Sequence, residues 1–128
     1  MNATNRNGEL AGRRILIVED ETLIALDLES LLIDNGCVVV GPVNTIDGAL
    51  ALLAQAPLDA ALLDLNLGGR PSTPVAERLN ARCIPYVVVT AYGRAAGRIP
   101  ELTHAPRVDK PIDYDGLIRL LHQVLATG

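Results

Sequence analysis

Short, unbroken apolar runs alternate along this chain with longer segments whose apolar residues recur every three to four positions, and this alternation narrows the fold more than any other feature. The runs are Arg14 to Val18, Cys37 to Val40, Ala60 to Leu63 and Tyr86 to Val89. The helix-period segments are Thr22 to Asn35, Ile46 to Ala56, Val75 to Arg82 and Leu117 to Ala126. A strand that is apolar at every position is buried on both faces, which implies a parallel sheet with helices on both sides. With a fifth strand expected just before Lys110, the pattern predicts an α/β fold built on a doubly wound, five-stranded parallel sheet. Gly36 is placed to end the first helix, Asn44 to cap the second, Pro57 to close it and Asp113 to cap the last. Gly93, Gly97, Pro100 and Pro106 interrupt the stretch where a fourth helix belongs, so that helix is expected to be short or irregular.

Composition is consistent with one domain. In a chain of 128 residues, 49% apolar content is enough for a real core, and the polar start predicts a flexible N-terminus over residues 1–12 with the folded unit at 13–128. The formal net charge is −4 and the arginines are scattered, which argues against a nucleic-acid surface. No apolar run approaches membrane-spanning length and no signal core opens the chain, so a cytoplasmic protein is expected. Cys37 and Cys83 match no metal-ligand spacing and read as reduced core residues.

The acidic residues carry the chemistry. In an open parallel sheet, ligands bind beyond the carboxyl ends of the strands where the winding reverses. Glu19 and Asp20 follow the first strand and Asp64 ends the third, so three carboxylates are expected to meet there. Crowded carboxylates repel one another unless a cation neutralises them, and hard oxygen donors suit Mg²⁺. Thr90 and Lys110 add a hydroxyl and an ammonium to the same edge. Such a group around one carboxylate meets the main demands of phosphoryl transfer, charge stabilisation and in-line positioning.

From about Arg13 to Ala126 the chain resembles the receiver domains of bacterial response regulators. The resemblance lies in Val18-Glu19-Asp20-Glu21, Leu62-Leu63-Asp64-Leu65-Asn66, Val89-Thr90-Ala91 and Asp109-Lys110-Pro111-Ile112. It implies a flavodoxin-like fold in which Asp64 accepts a phosphoryl group from a sensor histidine kinase or phosphotransfer protein. It further implies that Glu19, Asp20, Asp64 and the main-chain carbonyl of Asn66 hold Mg²⁺, that Thr90 and Lys110 bind the phosphoryl oxygens, and that the Lys110-Pro111 bond is cis. Such a protein is no enzyme beyond its own phosphorylation and dephosphorylation, has no other cofactor, and signals through protein contacts. If the chain is a whole gene product it has no output domain; the alternative is a receiver from a longer regulator.

Several departures from the family pattern bear on mechanism. Arg107 stands three positions before the lysine, where most receivers carry the aromatic residue of a threonine-coupled switch. Pro85 to Tyr92 resembles the FAT GUY subfamily of alphaproteobacterial single-domain regulators, with Val88, Val89 and Ala91 replacing its Phe, Ala and Gly. Asn66 and Tyr92 fall where receivers shield the phosphoryl group from water, which predicts slow decay of the phosphorylated form, while the small Ala91 leaves room for the donor imidazole. Gly68 and Gly69 suggest a mobile loop after Asp64. A haloacid-dehalogenase-type phosphohydrolase also uses a strand-end Asp, Mg²⁺, Thr and Lys, but needs a second carboxylate where Asn66 stands. Finally, Ile24, Leu28, Leu31 and Leu32 form one stripe of the first helix, assigned to the core, while Leu23, Leu26 and Ile33 form another nearly opposite. With the apolar last helix, the outer stripe predicts a homodimer or partner surface.

Overall fold

The computed structural model describes residues 10–90 and 105–127. In chain order the elements are β1 (Arg14–Val18), α1 (Thr22–Asp34), β2 (Val38–Val43), α2 (Ile46–Gln55), β3 (Ala60–Asp64), the two-residue strands β4 (Asn66–Leu67) and β5 (Arg70–Pro71), α3 (Thr73–Ala81), β6 (Tyr86–Thr90), β7 (Arg107–Asp109) and α4 (Tyr114–Thr127). Five strands form one sheet in the order β2-β1-β3-β6-β7, all pairs parallel, and β4 pairs with β5 as a small antiparallel hairpin. The expected doubly wound sheet is therefore present, and the winding reverses between β1 and β3. The segment expected to hold a short or irregular fourth helix falls, apart from Ala105, outside the described residues.

Each central strand serves two cores. Leu16 and Val18 of β1 pack with Ala49 and Leu53 of α2 and Val75 and Leu79 of α3. Ile15 and Ile17 point the other way, joining Leu28 and Leu32 of α1 and Leu117 and Leu121 of α4. Successive strand side chains point to opposite faces, so covering both faces requires apolar residues at every position. The assignment of the α1 stripes holds: Leu28 and Leu32 are buried, Ile24 and Leu31 pack against the core, and Leu23, Leu26 and Ile33 remain 78%, 52% and 57% exposed.

Four local expectations are corrected. The flexible N-terminus does not extend to residue 12: Leu10 is fully buried, and Gly12 N–H donates to the Gly36 carbonyl. The second strand runs on to Val43 through a cis Gly41-Pro42 bond and a register shift against β1; β2 is an edge strand, where proline is tolerated. Thr45, not Asn44, caps α2, its hydroxyl accepting from Gly48 N–H at 3.0 Å. Cys83 is exposed rather than in the core, and takes a left-handed conformation (φ 56°) just past the end of α3, a position that favours glycine. Cys37 is buried as expected, and desolvation pushes its thiol up to about 11.

Candidate functional site

Glu19, Asp20 and Asp64 meet beyond the carboxyl ends of β1 and β3, at the point where the winding reverses. Each contributes a carboxylate oxygen to a cluster in which these atoms lie within 4.8 Å of one another. Glu19 is held by the backbone as β1 ends, its N–H donating to the Val43 carbonyl at 2.9 Å. The residue is 2% exposed; Oε2 accepts from Glu21 N–H and from Lys110 Nζ at 3.0 Å, while Oε1 is buried without a hydrogen-bond partner among the described residues. Asp20 is the most exposed of the three and accepts from Gly68 N–H at 2.8 Å.

Asp64 is buried at the end of β3. Its Oδ1 accepts from Asn66 N–H at 3.2 Å, and its Oδ2 lies 3.4 Å from Lys110 Nζ. Burial, then a hydrogen bond with Glu19 and that residue's charge, raise the Asp64 carboxyl; Asn66 N–H and the Lys110 ammonium oppose them, and the net position is about 7. Lys110 responds in the opposite sense. Burial alone would weaken its ammonium, but the carboxylates of Glu21, Glu19 and Asp64 outweigh this and hold its pKa above the ordinary lysine range.

Thr90, 2% exposed, ends β6, and its carbonyl accepts from Lys110 N–H at 2.8 Å, tying the ends of β6 and β7 together. The Lys110-Pro111 bond is cis, as the resemblance implied. Arg107 lies on the β7 edge, exposed, with Nε 3.7 Å from Asp109. Ala91 and Tyr92 lie outside the described residues. Gly68 and Gly69 have positive φ and shape the β4–β5 turn; Gly68 N–H binds Asp20 and Gly69 N–H binds Asn66 Oδ1, so this loop is tied to the acidic cluster instead of hanging free.

Two participants were not singled out from the sequence. Ser72 is 1% exposed and donates its hydroxyl to the Asp64 carbonyl at 2.6 Å, anchoring the strand end that presents the carboxylate. Glu21 contacts Lys110 at 2.5 Å. A serine in a loop has no distinguishing pattern, whereas Glu21 directly follows the acidic pair in sequence and lacks only a visible partner to give it meaning.

The site accommodates a divalent cation on its own evidence. The donors are hard carboxylate oxygens, one of them buried and unpartnered, and the one ammonium in contact with them, Lys110, is shared by three carboxylates while Asp20 stands beside them, so negative charge outweighs positive in the cluster.

The response regulator receiver domain family matches residues 15–122. The transcriptional regulatory protein PdtaR of Mycobacterium tuberculosis is 32% identical over 83 residues, covering 64% of this chain and 40% of PdtaR. The chain thus matches well under half the length of that curated relative. SdrG from Sphingomonas melonis Fr1, a solution structure, is 43% identical with a TM-score of 0.76, covering 90% of this chain and 97% of SdrG. The receiver domain of sensor histidine kinase PA1611 from Pseudomonas aeruginosa PAO1, at 24% identity, shares the fold with a TM-score of 0.78, covering 91% of this chain and 99% of that one. Its crystal structure has a magnesium ion coordinated in the active-site cleft.

Proposed function

The chain belongs to the response regulator receiver domain family, and from that premise we propose that Asp64 is its phosphoacceptor. The observation that carries this reading is the approach of Lys110 Nζ to Asp64 Oδ2, 3.4 Å, beside a cluster in which Glu19 and Asp20 supply further oxygens. An Asp64 carboxylate oxygen attacks the phosphorus of a phosphohistidine in a sensor kinase or phosphotransfer protein. The new O–P bond replaces the N–P bond, whose electron pair stays with the imidazole. Lys110 and the Thr90 hydroxyl stabilise the charge on the equatorial oxygens. Glu19, Asp20, Asp64 and the Asn66 carbonyl would hold Mg²⁺, which when bound supplies positive charge to the same oxygens. Ser72 and the Asn66 N–H keep Asp64 oriented. The protein turns over no other substrate, works in the cytoplasm, and signals through protein contacts.

The exposed Leu23, Leu26 and Ile33 support a contact surface on α1; on α4, by contrast, Ile118, Leu120, Val124 and Leu125 are partly buried against the core. We assign the α1 surface to a homodimer or a protein partner. Light scattering should show association that Leu26→Glu weakens; a monomer at every concentration, with kinase binding intact in the variant, would count against it.

Acetyl phosphate with Mg²⁺, followed by intact mass, tests the central reading. A single phosphoryl addition is expected, abolished by Asp64→Asn and by excess chelator. Steady hydrolysis of a phosphomonoester would favour the phosphohydrolase reading instead. The carboxamide of Asn66, occupied by Gly69 N–H and without an acidic proton, speaks against that outcome.

A further inference from the structure

Lys110 also contacts Glu21, a residue to which the proposed chemistry gives no part. Nζ is in contact with Glu21 Oε1 and lies 3.0 Å from Glu19 and 3.4 Å from Asp64. An ammonium has three N–H donors, and three carboxylates already take them. A phosphoryl oxygen arriving at Lys110 therefore has to displace one.

The three carboxylates differ in how easily they let go. Glu19 and Asp64 are buried, so a lost partner would leave a charge poorly solvated. The Glu21 side chain is 56% exposed, whereas that of Lys110 is 10% exposed, and water can solvate the Glu21 carboxylate once the lysine leaves. Glu21 occupies the N-cap position of α1, makes no capping hydrogen bond there, and reaches Lys110.

We propose that Glu21 is a positioning residue that holds Lys110 on the solvent side of the site and yields it to the incoming phosphoryl oxygen, so that its charge slows phosphoryl capture. This rests on the reading of Asp64 as phosphoacceptor. The Glu21 end of the pair stands in solvent, so the effect is modest and sensitive to salt.

The test compares wild type with Glu21→Gln, which keeps the shape and removes the charge. With acetyl phosphate and Mg²⁺, intact mass should show phosphorylation about two- to fivefold faster in the variant, the gap narrowing as salt rises. In parallel, NMR of the unphosphorylated protein should show the Lys110 Nζ–H signal shifted and exchanging faster with water. An unchanged or slower rate overturns the proposal. So does a faster rate with an unaltered Lys110 signal, which would mark a general charge effect. If phosphorylation survives Asp64→Asn, the fault lies with the reading of Asp64 and not with Glu21.

Discussion

Asp64 illustrates how burial can work against the charge a site needs. Its carboxyl stands at about 7 instead of 3.8, chiefly through desolvation and the neighbouring Glu19. Between those two pH values the folded state keeps a proton that the unfolded chain has released, so stability falls as pH rises through the window. In chelator, Asp64→Asn should therefore be more stable than wild type at pH 8 by about 1–3 kcal/mol. A tenfold change in proton affinity is worth about 1.4 kcal/mol, and the gain falls short of the full sum because Lys110 loses a partner. Urea unfolding should show that gain shrinking toward zero below pH 4, outside the window. Ser72 makes a different contribution: removing its buried hydroxyl takes a hydrogen bond from the Asp64 carbonyl. Ser72→Ala should cost about 1–2 kcal/mol in urea and should slow phosphorylation by loosening the end of β3.

At the level of elements, two backbone positions decide how strands and helices end. Gly41 has φ +91°, and a Cβ there would lie 2.9 Å from Val43 N and 3.1 Å from Ile17 O, both backbone atoms that cannot step aside. Gly41→Ala should cost about 2–4 kcal/mol. Because Val43 O holds Glu19 N–H, the same variant should also weaken Mg²⁺ binding, measurable by calorimetry on whatever fraction stays folded. Cys83 is the converse case, a side chain in a conformation that suits glycine. Its φ of 56° follows the end of α3, and its N–H closes onto the Asn80 carbonyl. Cys83→Gly should stabilise the protein by up to about 1 kcal/mol, the relief of strain being partly offset by a freer unfolded chain, and thermal melting checks it.

For the molecule as a whole, a cation held by the acidic cluster would couple folding to metal. The cluster assembles from the ends of β1 and β3 and is lost when the sheet unfolds, so a cation bound there favours the folded state. Melting temperature should climb with Mg²⁺ concentration, by the equivalent of about 2.7 kcal/mol at a hundredfold excess over the dissociation constant. Asp20→Ala should flatten that dependence while leaving the unliganded protein close to wild type, since Asp20 is the least buried of the three. Among the described residues no helix is long and apolar enough to cross a membrane.

Much of this was legible in one dimension because its causes are local or periodic. Strands buried on both faces, from Ile15 to Val18 and from Ala60 to Leu63, declare themselves as unbroken apolar runs, and polar residues placed just after such runs must gather at one edge of a parallel sheet. Hence Glu19, Asp20, Asp64, Thr90 and Lys110 could be named before any coordinate. Other features depend on contacts between residues far apart in the chain. The reach of Glu21 to Lys110 spans 89 positions, and that of Gly68 N–H to Asp20 spans 48. The bulge at Gly41 arises only when β2 pairs with β1, and the burial of Leu10 only when the helices close over it. Periodicity reports which face of an element is covered; which particular groups then meet is decided when the covered faces come together in three dimensions.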